Sequence, residues 1–284
     1  MNGKTIVIDS LARSGTTLLS AILGSQPRSF SLNGLFVEPM ACDAAASIQW
    51  PIGYAMANPS SDLPTDLVKL KTQTLNTLIK NPHLRGGLGM AFWERILKKS
   101  YTESDSLYKT IRNELNVDNL FLRWNQCLFW HPNWITRNNN YWITVIRNPL
   151  DRIVSNMKTH DWLFDDAVNV TKIYMGNLLK LQNSIGIVYY EDLISKPSQV
   201  VKAIYHHCGI PEAEINLKDL IGADGLRYRD QGWRIRMKKG NHIVGEDFQG
   251  LHRNSVNQYR DYLSAEQIST CKCLLDNELL SRYL

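Results

Sequence analysis

Ile6-Val7-Ile8-Asp9-Ser10-Leu11-Ala12-Arg13-Ser14-Gly15-Thr16-Thr17-Leu18-Leu19 is the stretch whose reading decides the fold. A short β-branched run predicts a buried strand. A small polar turn follows, and Leu18, Leu19, Ile22 and Leu23 then take helical spacing. Strand, tight turn and helix start in succession build an anion site, because the first N–H groups of a helix have no intrahelical partner and point into the turn. Gly15 lets the backbone approach closely, Thr16 and Thr17 add hydroxyls, and Arg13 supplies a charge. The same residues are also compatible with a plain βα turn whose Ser and Thr cap the helix.

The turn is not the usual nucleoside-triphosphate loop. That motif ends Gly-Lys-Ser/Thr, with the Lys reaching the terminal phosphates, whereas here the only cation, Arg13, precedes the Gly. Composition sets further bounds. The 284 residues are 44% hydrophobic and 21% charged, as in a soluble globular protein. A net charge of +5 and a pI near 8.9 suit an anionic ligand but are too weak to argue for nucleic acid, and there is no basic run. The chain enters directly with a strand at Thr5, without a basic region followed by an apolar helix, and no stretch is long enough to span a bilayer, so a cytoplasmic protein off the membrane is expected. The five cysteines are odd in number and scattered, which predicts reduced thiols and no metal site. Several of the eight Trp lie in loop-like surroundings, which favours an aromatic-lined pocket, although core packing is the default for each one.

Further along, Phe30–Leu32 predicts a short strand, and residues 41–64 have no clear period and suggest a functional loop. Helices are expected over 65–80, 91–99 and 107–115, then a strand at Leu120–Leu122 ending in Arg123-Trp124-Asn125. Tyr141–Ile146 is a clear strand running into Arg147-Asn148-Pro149. A helix from Pro149 to about His160 carries Ser155, another covers 167–182, and Gly186–Tyr190 reads as a strand. Pro197–Cys208 is a helix closed by Gly209, residues 222–250 are Gly-rich and basic and are expected to be flexible, and Ser264 caps a helix running to the C-terminus. Apolar strands alternating with helices predict an α/β protein with a parallel sheet covered on both faces. Ligands in such sheets sit at the carboxyl ends of the strands. Arg13, Arg123 and Arg147 all leave predicted strand ends, so they are expected to meet in one crevice.

Arg147 at a strand end suits a bidentate phosphate contact, with Ser155 two turns into the next helix; the alternative for Arg147 is an ion pair with Asp151. Together these blocks resemble the sulfotransferases that use 3′-phosphoadenosine 5′-phosphosulfate (PAPS). The resemblance rests on strand-Arg13-Ser14-Gly15-Thr16-Thr17-Leu18, on Arg147-Asn148-Pro149 with Ser155, and on Tyr190-Glu191-Asp192-Leu193 before Pro197 and Gly209-Ile210-Pro211. It spans residues 4–211 and implies one domain over 1–284, with a three-layer α/β fold like that of the P-loop nucleotide-binding proteins. It also implies that Arg13, Ser14, Gly15, Thr16, Thr17 and Leu18 hold the 5′-phosphosulfate end, that Arg147 and Ser155 hold the 3′-phosphate, and that Tyr190 lies near the adenosine. A basic C-terminal segment would complete the 3′-phosphate site. Arg253 is preferred for it over Lys238-Lys239-Gly240, since the stretch after Arg253 is similar to the family's ending.

Two departures from the family stand out. Arg13 replaces the Lys of many cytosolic members, and Arg123-Trp124-Asn125 stands where they carry Lys-x-His, so the catalytic His is missing. The resemblance implies transfer of a sulfuryl group to a hydroxyl or amine of a small-molecule acceptor, with the spent nucleotide (PAP) released and no metal required. Arg13 and Arg123 would stabilise the leaving phosphate. For the base, Glu38 comes first because Glu38-Pro39 resembles the Glu-Pro of carbohydrate sulfotransferases; His160 is second and His131 third. His160-Asp161-Trp162-Leu163-Phe164-Asp165-Asp166 combines carboxylates with aromatics and suggests a cationic natural product as acceptor. A carbohydrate or protein-tyrosine sulfotransferase, or a nucleotide-binding protein of this fold without transfer activity, are the alternatives; a monomer or homodimer is expected.

Overall fold

The central strands bury both faces, and this places the sheet in the middle of the molecule. The computed structural model describes residues 3–33, 75–76, 78–80, 85–99, 104–123, 141–218, 220–223, 225, 237–239, 242–244, 256–275 and 278–283. Within them, β1 (Lys4–Asp9), β2 (Ser29–Asn33), β3 (Asn119–Arg123), β4 (Tyr141–Ile146) and β5 (Gly186–Tyr189) form one sheet in the order β2-β3-β1-β4-β5. Every neighbouring pair in it is parallel. Side chains alternate between the faces, as a strand's period of two requires. Ile6, Ile8, Phe121, Ile143 and Val145 pack on one side. Val7, Leu120, Leu122, Trp142 and Ile146 pack on the other.

Helices cover each face. On the first lie α1 (Thr16–Gly24) and α7 (Pro197–Cys208), preceded by the short α6 (Tyr190–Ser195). Leu18, Leu19, Ile22 and Leu23 of α1 meet Val201, Ile204 and Tyr205 of α7 over the sheet. Each such buried aliphatic side chain stabilises by about 1.5–3 kcal/mol. On the second face lie α2 (Met90–Lys99), α3 (Ser104–Leu115), α4 (Pro149–His160), α5 (Phe164–Leu181) and α8 (Ala265–Leu274). The largest core side chains, Trp93, Tyr108, Trp142 and Tyr174, belong to this second layer. The result is the expected three-layer α/β architecture with a central parallel sheet.

The helix ends follow their local chemistry. Pro149 opens α4, and the Asn148 side chain accepts from Leu150 N at 3.0 Å. Gly209 closes α7 in the left-handed region at φ +58°, and Lys4 Nζ donates to its carbonyl at 2.8 Å. Ser264 and Gln267 form a reciprocal capping box at α8.

Some boundaries differ from the sequence expectation. Helix α5 starts at Phe164, three residues before Ala167, because Asp165 and Asp166 suit the positive end of a helix dipole. Strand β5 stops at Tyr189, and Tyr190 already belongs to α6. Helix α8 ends at Leu274 rather than running to the C-terminus. The tail instead turns back so that Leu279 and Leu280 enter the core. Of the basic stretch 222–250, a small antiparallel pair is described, β6 (Met237–Lys239) with β7 (His242–Val244). The loop expected at 41–64 lies outside the described residues.

The strand order locates the crevice. From β1 the chain crosses towards β2, whereas from β4 it crosses towards β5 on the opposite side. Between β1 and β4 the direction reverses, and the two outgoing loops part above their carboxyl ends. Such a switch point is where open α/β sheets hold ligands.

Candidate functional site

The loops leaving β1 and β4 at this point carry Arg13 and Arg147. Gly15 is the N-cap of α1, at φ +101°, and no side chain caps the helix. The plain capping role for Ser14, Thr16 and Thr17 is therefore not what the turn is built for. The first helical bond runs from Leu19 N to Gly15 O at 3.1 Å, so the amides of Thr16, Thr17 and Leu18 precede the helical ladder and face the turn. Gly15 is required twice over: for its positive φ, and because a Cβ there would lie 2.8 Å from Tyr190 Cε2 and nearer still to Cδ2. Ser14 and Thr16 are buried beneath the turn.

Arg13 also has a left-handed backbone, φ +70°, which costs a non-glycine residue about 1–2 kcal/mol. Two contacts across the crevice hold it. Arg147 Nη1 donates to the Arg13 carbonyl at 3.1 Å, and Arg13 Nε donates to Ser155 Oγ at 3.0 Å. Arg123, at the end of β3, donates from Nη1 to Thr17 Oγ1 at 2.6 Å. The Arg147 guanidinium lies 5.2 Å from the centre of the Tyr190 ring, whose edge covers Gly15. The sequence-predicted Arg13, Ser14, Gly15, Thr16, Thr17, Leu18, Arg123, Arg147, Ser155 and Tyr190 thus come together on one set of strand ends.

Three guanidinium groups and a helix N-terminus converge here, a set of donors that suits an anion. Ser155 on α4 adds a hydroxyl beside Arg13. Among the described residues no cluster of His, Cys, Asp or Glu is arranged to hold a metal ion.

Some of the residues that shape the site have roles that local spacing does not reveal. Asp151 is fully buried and, rather than serving as Arg147's salt-bridge partner, accepts from the backbone N–H groups of Asn257 at 2.7 Å and Tyr259 at 3.1 Å. Burial pushes its carboxyl above the usual range, while those two N–H groups and Arg147 pull it back. Arg152 is buried too and donates to Ala167 O at 2.9 Å and to the Thr171 hydroxyl, tying α4 to α5. Loss of solvation and the neighbouring Arg147 push its guanidinium down to about 9. In the third block only Tyr190 faces the cradle. Glu191 accepts from Asn148 N at 3.0 Å and from the Tyr283 hydroxyl, and Asp192 takes a two-pronged contact from Arg282 at 2.7 and 3.0 Å. Both carboxylates brace the C-terminal tail.

Other expectations fall elsewhere. Glu38, His131 and Arg253 lie outside the described residues, as do Trp124 and Asn125. His160 ends α4, and its side chain is likewise outside them. Lys238 and Lys239 belong to β6. The acidic-aromatic stretch is divided: Trp162 and Phe164 pack on the core, whereas Asp161, Asp165 and Asp166 are exposed. The three described tryptophans, Trp93, Trp142 and Trp162, pack in or on the core and line no aromatic pocket, because burying so large a ring stabilises more than leaving it in a polar crevice. No helix among the described residues is long and apolar enough to cross a membrane.

Comparison with known proteins agrees with this geometry. The model of the sulfotransferase domain family matches residues 4–280. Among solved structures, the sulfotransferase domain from the Synechococcus PCC 7002 olefin synthase superposes with a TM-score of 0.57 at 15% identity, covering 97% of this chain and 96% of the other. The sulfotransferase domain from the curacin biosynthetic pathway gives 0.57 at 16% identity, covering 97% and 98%. At these identities the likeness is one of fold. A search of curated proteins returned no match.

Proposed function

Because the chain belongs to the sulfotransferase domain family, we propose that it transfers a sulfuryl group from PAPS to a hydroxyl or amine of a small-molecule acceptor. The observation that carries this reading is the double contact of Arg13, which receives Arg147 on its carbonyl and reaches Ser155 with its side chain. A ligand with one anionic group at each end would engage both loops. A nucleotide carrying a 5′-phosphosulfate and a 3′-phosphate has that form.

The residues present fit such a donor. The uncapped amides of Thr16, Thr17 and Leu18, with Arg13 and Arg123, would hold the phosphosulfate. Arg147 and Ser155 would hold the 3′-phosphate, Tyr190 would lie against the adenosine, and Arg253 would complete the 3′-phosphate site. In the reaction the acceptor oxygen or nitrogen bonds to sulfur while the bond from sulfur to the bridging oxygen breaks. The electron pair leaves on that oxygen, and PAP departs with the added charge. Donors fixed beforehand at the place where this charge develops lower the barrier. Arg13 and Arg123 are those donors, held by Ser155 and Thr17 respectively. The acceptor proton passes to a base. We assign this to Glu38, with His160 as the second choice. An amine acceptor that loses its own proton needs the base less.

Transfer of labelled sulfate from PAPS to a panel of hydroxyl and amine acceptors tests the reading. Arg13→Ala is expected to lower turnover about 100-fold or more, the usual cost of losing a preorganised donor. Near-normal turnover in that variant would overturn the assignment. Calorimetry should show PAP binding in preference to ATP; tight PAP binding without transfer to any acceptor would instead favour a nucleotide-binding protein of the same fold.

A further inference from the structure

Two neighbouring carboxylates at the start of α6 hold the same C-terminal tail but differ in what else they touch. Asp192 receives both prongs of Arg282, whose guanidinium lies 4.4 Å from the centre of the Tyr189 ring and 5.5 Å from that of Tyr283. All of these groups belong to β5, α6 or the tail. Glu191 spreads its two oxygens in different directions. Oε2 accepts from the Tyr283 hydroxyl, and Oε1 accepts from the N–H of Asn148 at 3.0 Å, on the loop leaving β4. A carboxylate in the first turn of a helix is favoured by the helix dipole. That does not account for a side chain that leaves its own helix to reach the exit of another strand.

Asn148 is buried and serves as the N-cap of α4. Its N–H follows the end of β4 and precedes the helical ladder, so neither element supplies an acceptor, and a buried N–H left without one is costly. Glu191 supplies it. The bond is one of two rungs between the same pair of segments. The other is the Arg147 guanidinium, 5.2 Å from the centre of the Tyr190 ring. Residues 147 and 148 thus face residues 190 and 191. The Arg147 rung belongs to the crevice, since Arg147 also donates to the Arg13 carbonyl at 3.1 Å and the Tyr190 ring covers Gly15. The Glu191 rung lies one residue behind it. Burial and the adjacent Glu191 charge push the Tyr283 hydroxyl up, so it keeps its proton and donates. Its bond, and the edge-on contact of its ring with Tyr189 at 6.1 Å between centres, fix the far oxygen of the carboxylate.

We infer that Glu191 is a positioning residue for the crevice: held from behind by Tyr283, it fixes the peptide after Arg147 and so the guanidinium that seats the Arg13 turn. Glu191 touches no reacting atom in this scheme. Its negative charge behind a set of guanidinium groups suited to an anion opposes such a ligand, so the carboxylate serves there by its two bonds and not by its charge. Asp192 is the internal comparison, because it braces the same tail without reaching Asn148. The consequence for nucleotide affinity rests on the donor proposed above; the consequence for the order of the two loops does not.

The test compares the two carboxylates on the full chain. Calorimetry is run with PAP, and amide hydrogen exchange is followed at Asn148 and at Leu19, whose N–H donates to Gly15 O. Glu191→Ala is expected to weaken PAP about tenfold and to speed exchange at both amides. Tyr283→Phe keeps the ring and loses only the hydroxyl, so it guards against a folding defect; PAP should weaken about threefold. Glu191→Gln, whose carbonyl still accepts from Asn148 and whose amide can donate to the Tyr283 oxygen, should bind PAP as well as the parent or better. Asp192→Asn should leave PAP affinity and both amides nearly unchanged. Equal PAP losses in Glu191→Ala and Asp192→Asn would mean a merely structural brace and would overturn the inference, as would unchanged PAP affinity in folded Glu191→Ala. A glutamine variant as weak as the alanine one would overturn it too, because charge and not the bond to Asn148 would then be at work. If the unaltered protein fails to bind PAP, the donor assignment fails and the exchange arm alone decides. Unchanged exchange at Asn148 or Leu19 in Glu191→Ala then overturns the inference, and faster exchange at both supports it.

Discussion

The turn after β1 and the start of α4 face the same crevice but are constructed in opposite ways. The turn is made of backbone: within a few residues it offers a left-handed glycine, a helix start without a side-chain cap, and amides aimed outward. The start of α4 is made of buried side chains bonded to three other parts of the chain: Arg147 and Ser155 to Arg13, Asp151 to Asn257 and Tyr259, and Arg152 to Ala167 and Thr171. A backbone cradle depends on conformation and on space. A hub of side chains depends on its partners. Substitutions should therefore fail in different ways in the two regions.

The sharpest break is expected at Gly15. Gly15→Val combines positive-φ strain of about 1–2 kcal/mol with a collision against the Tyr190 ring, so transfer should vanish and the melting temperature should fall. In a Tyr190→Ala background the collision is gone and only the backbone strain remains, so the two substitutions should combine non-additively. A stability loss for Gly15→Val that is the same in both backgrounds would show that conformation alone, and not space, decides the cradle.

A smaller effect is expected from Arg147→Lys on the side-chain end. Lysine keeps the charge and loses the planar fork, so PAP affinity measured by calorimetry should fall about tenfold, with adenosine 5′-monophosphate, which lacks the 3′-phosphate, nearly unaffected. If the lysine variant matches the parent, charge alone suffices there, and the contrast between shape-dependent hub and backbone cradle weakens. Ser155→Ala should cost less, about 0.5–1 kcal/mol for one neutral hydrogen bond, seen as a rise of about twofold to fivefold in the PAP dissociation constant.

The smallest effect lies in the brace behind both regions. The Arg282 guanidinium holds the Asp192 carboxyl below its ordinary range. A depressed folded value means that the pair stabilises above the unfolded carboxyl value of about 4 and that this contribution is lost as pH falls through the lower folded value. Both side chains are more than a third exposed, so the effect should stay under about 1 kcal/mol. Acid-induced unfolding of Asp192→Asn should therefore be slightly less steep below pH 4 than that of the parent.

These contrasts also explain what was legible in the chain. The cradle could be read because Gly15, its neighbours and the apolar spacing of Leu18 to Leu23 act within one local segment. Strands β1, β3 and β4 could be read for the same reason, since burial on both faces makes a continuous apolar run. The meeting of Arg13, Arg123 and Arg147 followed from topology, because parallel strands bring their carboxyl ends to one side. The partner of Asp151 could not be read. Arg147, four residues earlier, was the ion-pair partner that the sequence suggested, yet the carboxylate bonds to backbone more than a hundred residues away. The end of α8 was missed because tail residues that continue an apolar pattern pack better by turning into the core than by extending the helix.

What the sequence determined by itself, then, is the sheet with its uncapped helix start and the set of cations at its strand ends. Those features depend on conformational preferences and periodicities carried by neighbouring residues. Only the tertiary structure decided that Arg13 spans the crevice to Ser155, that the Tyr190 ring fills the space over Gly15, and that the C-terminal chain is fastened to Asp151. Each of these is a choice among many possible hydrogen-bond partners, and burial forces the choice once packing has fixed which groups lie within about 3 Å of one another.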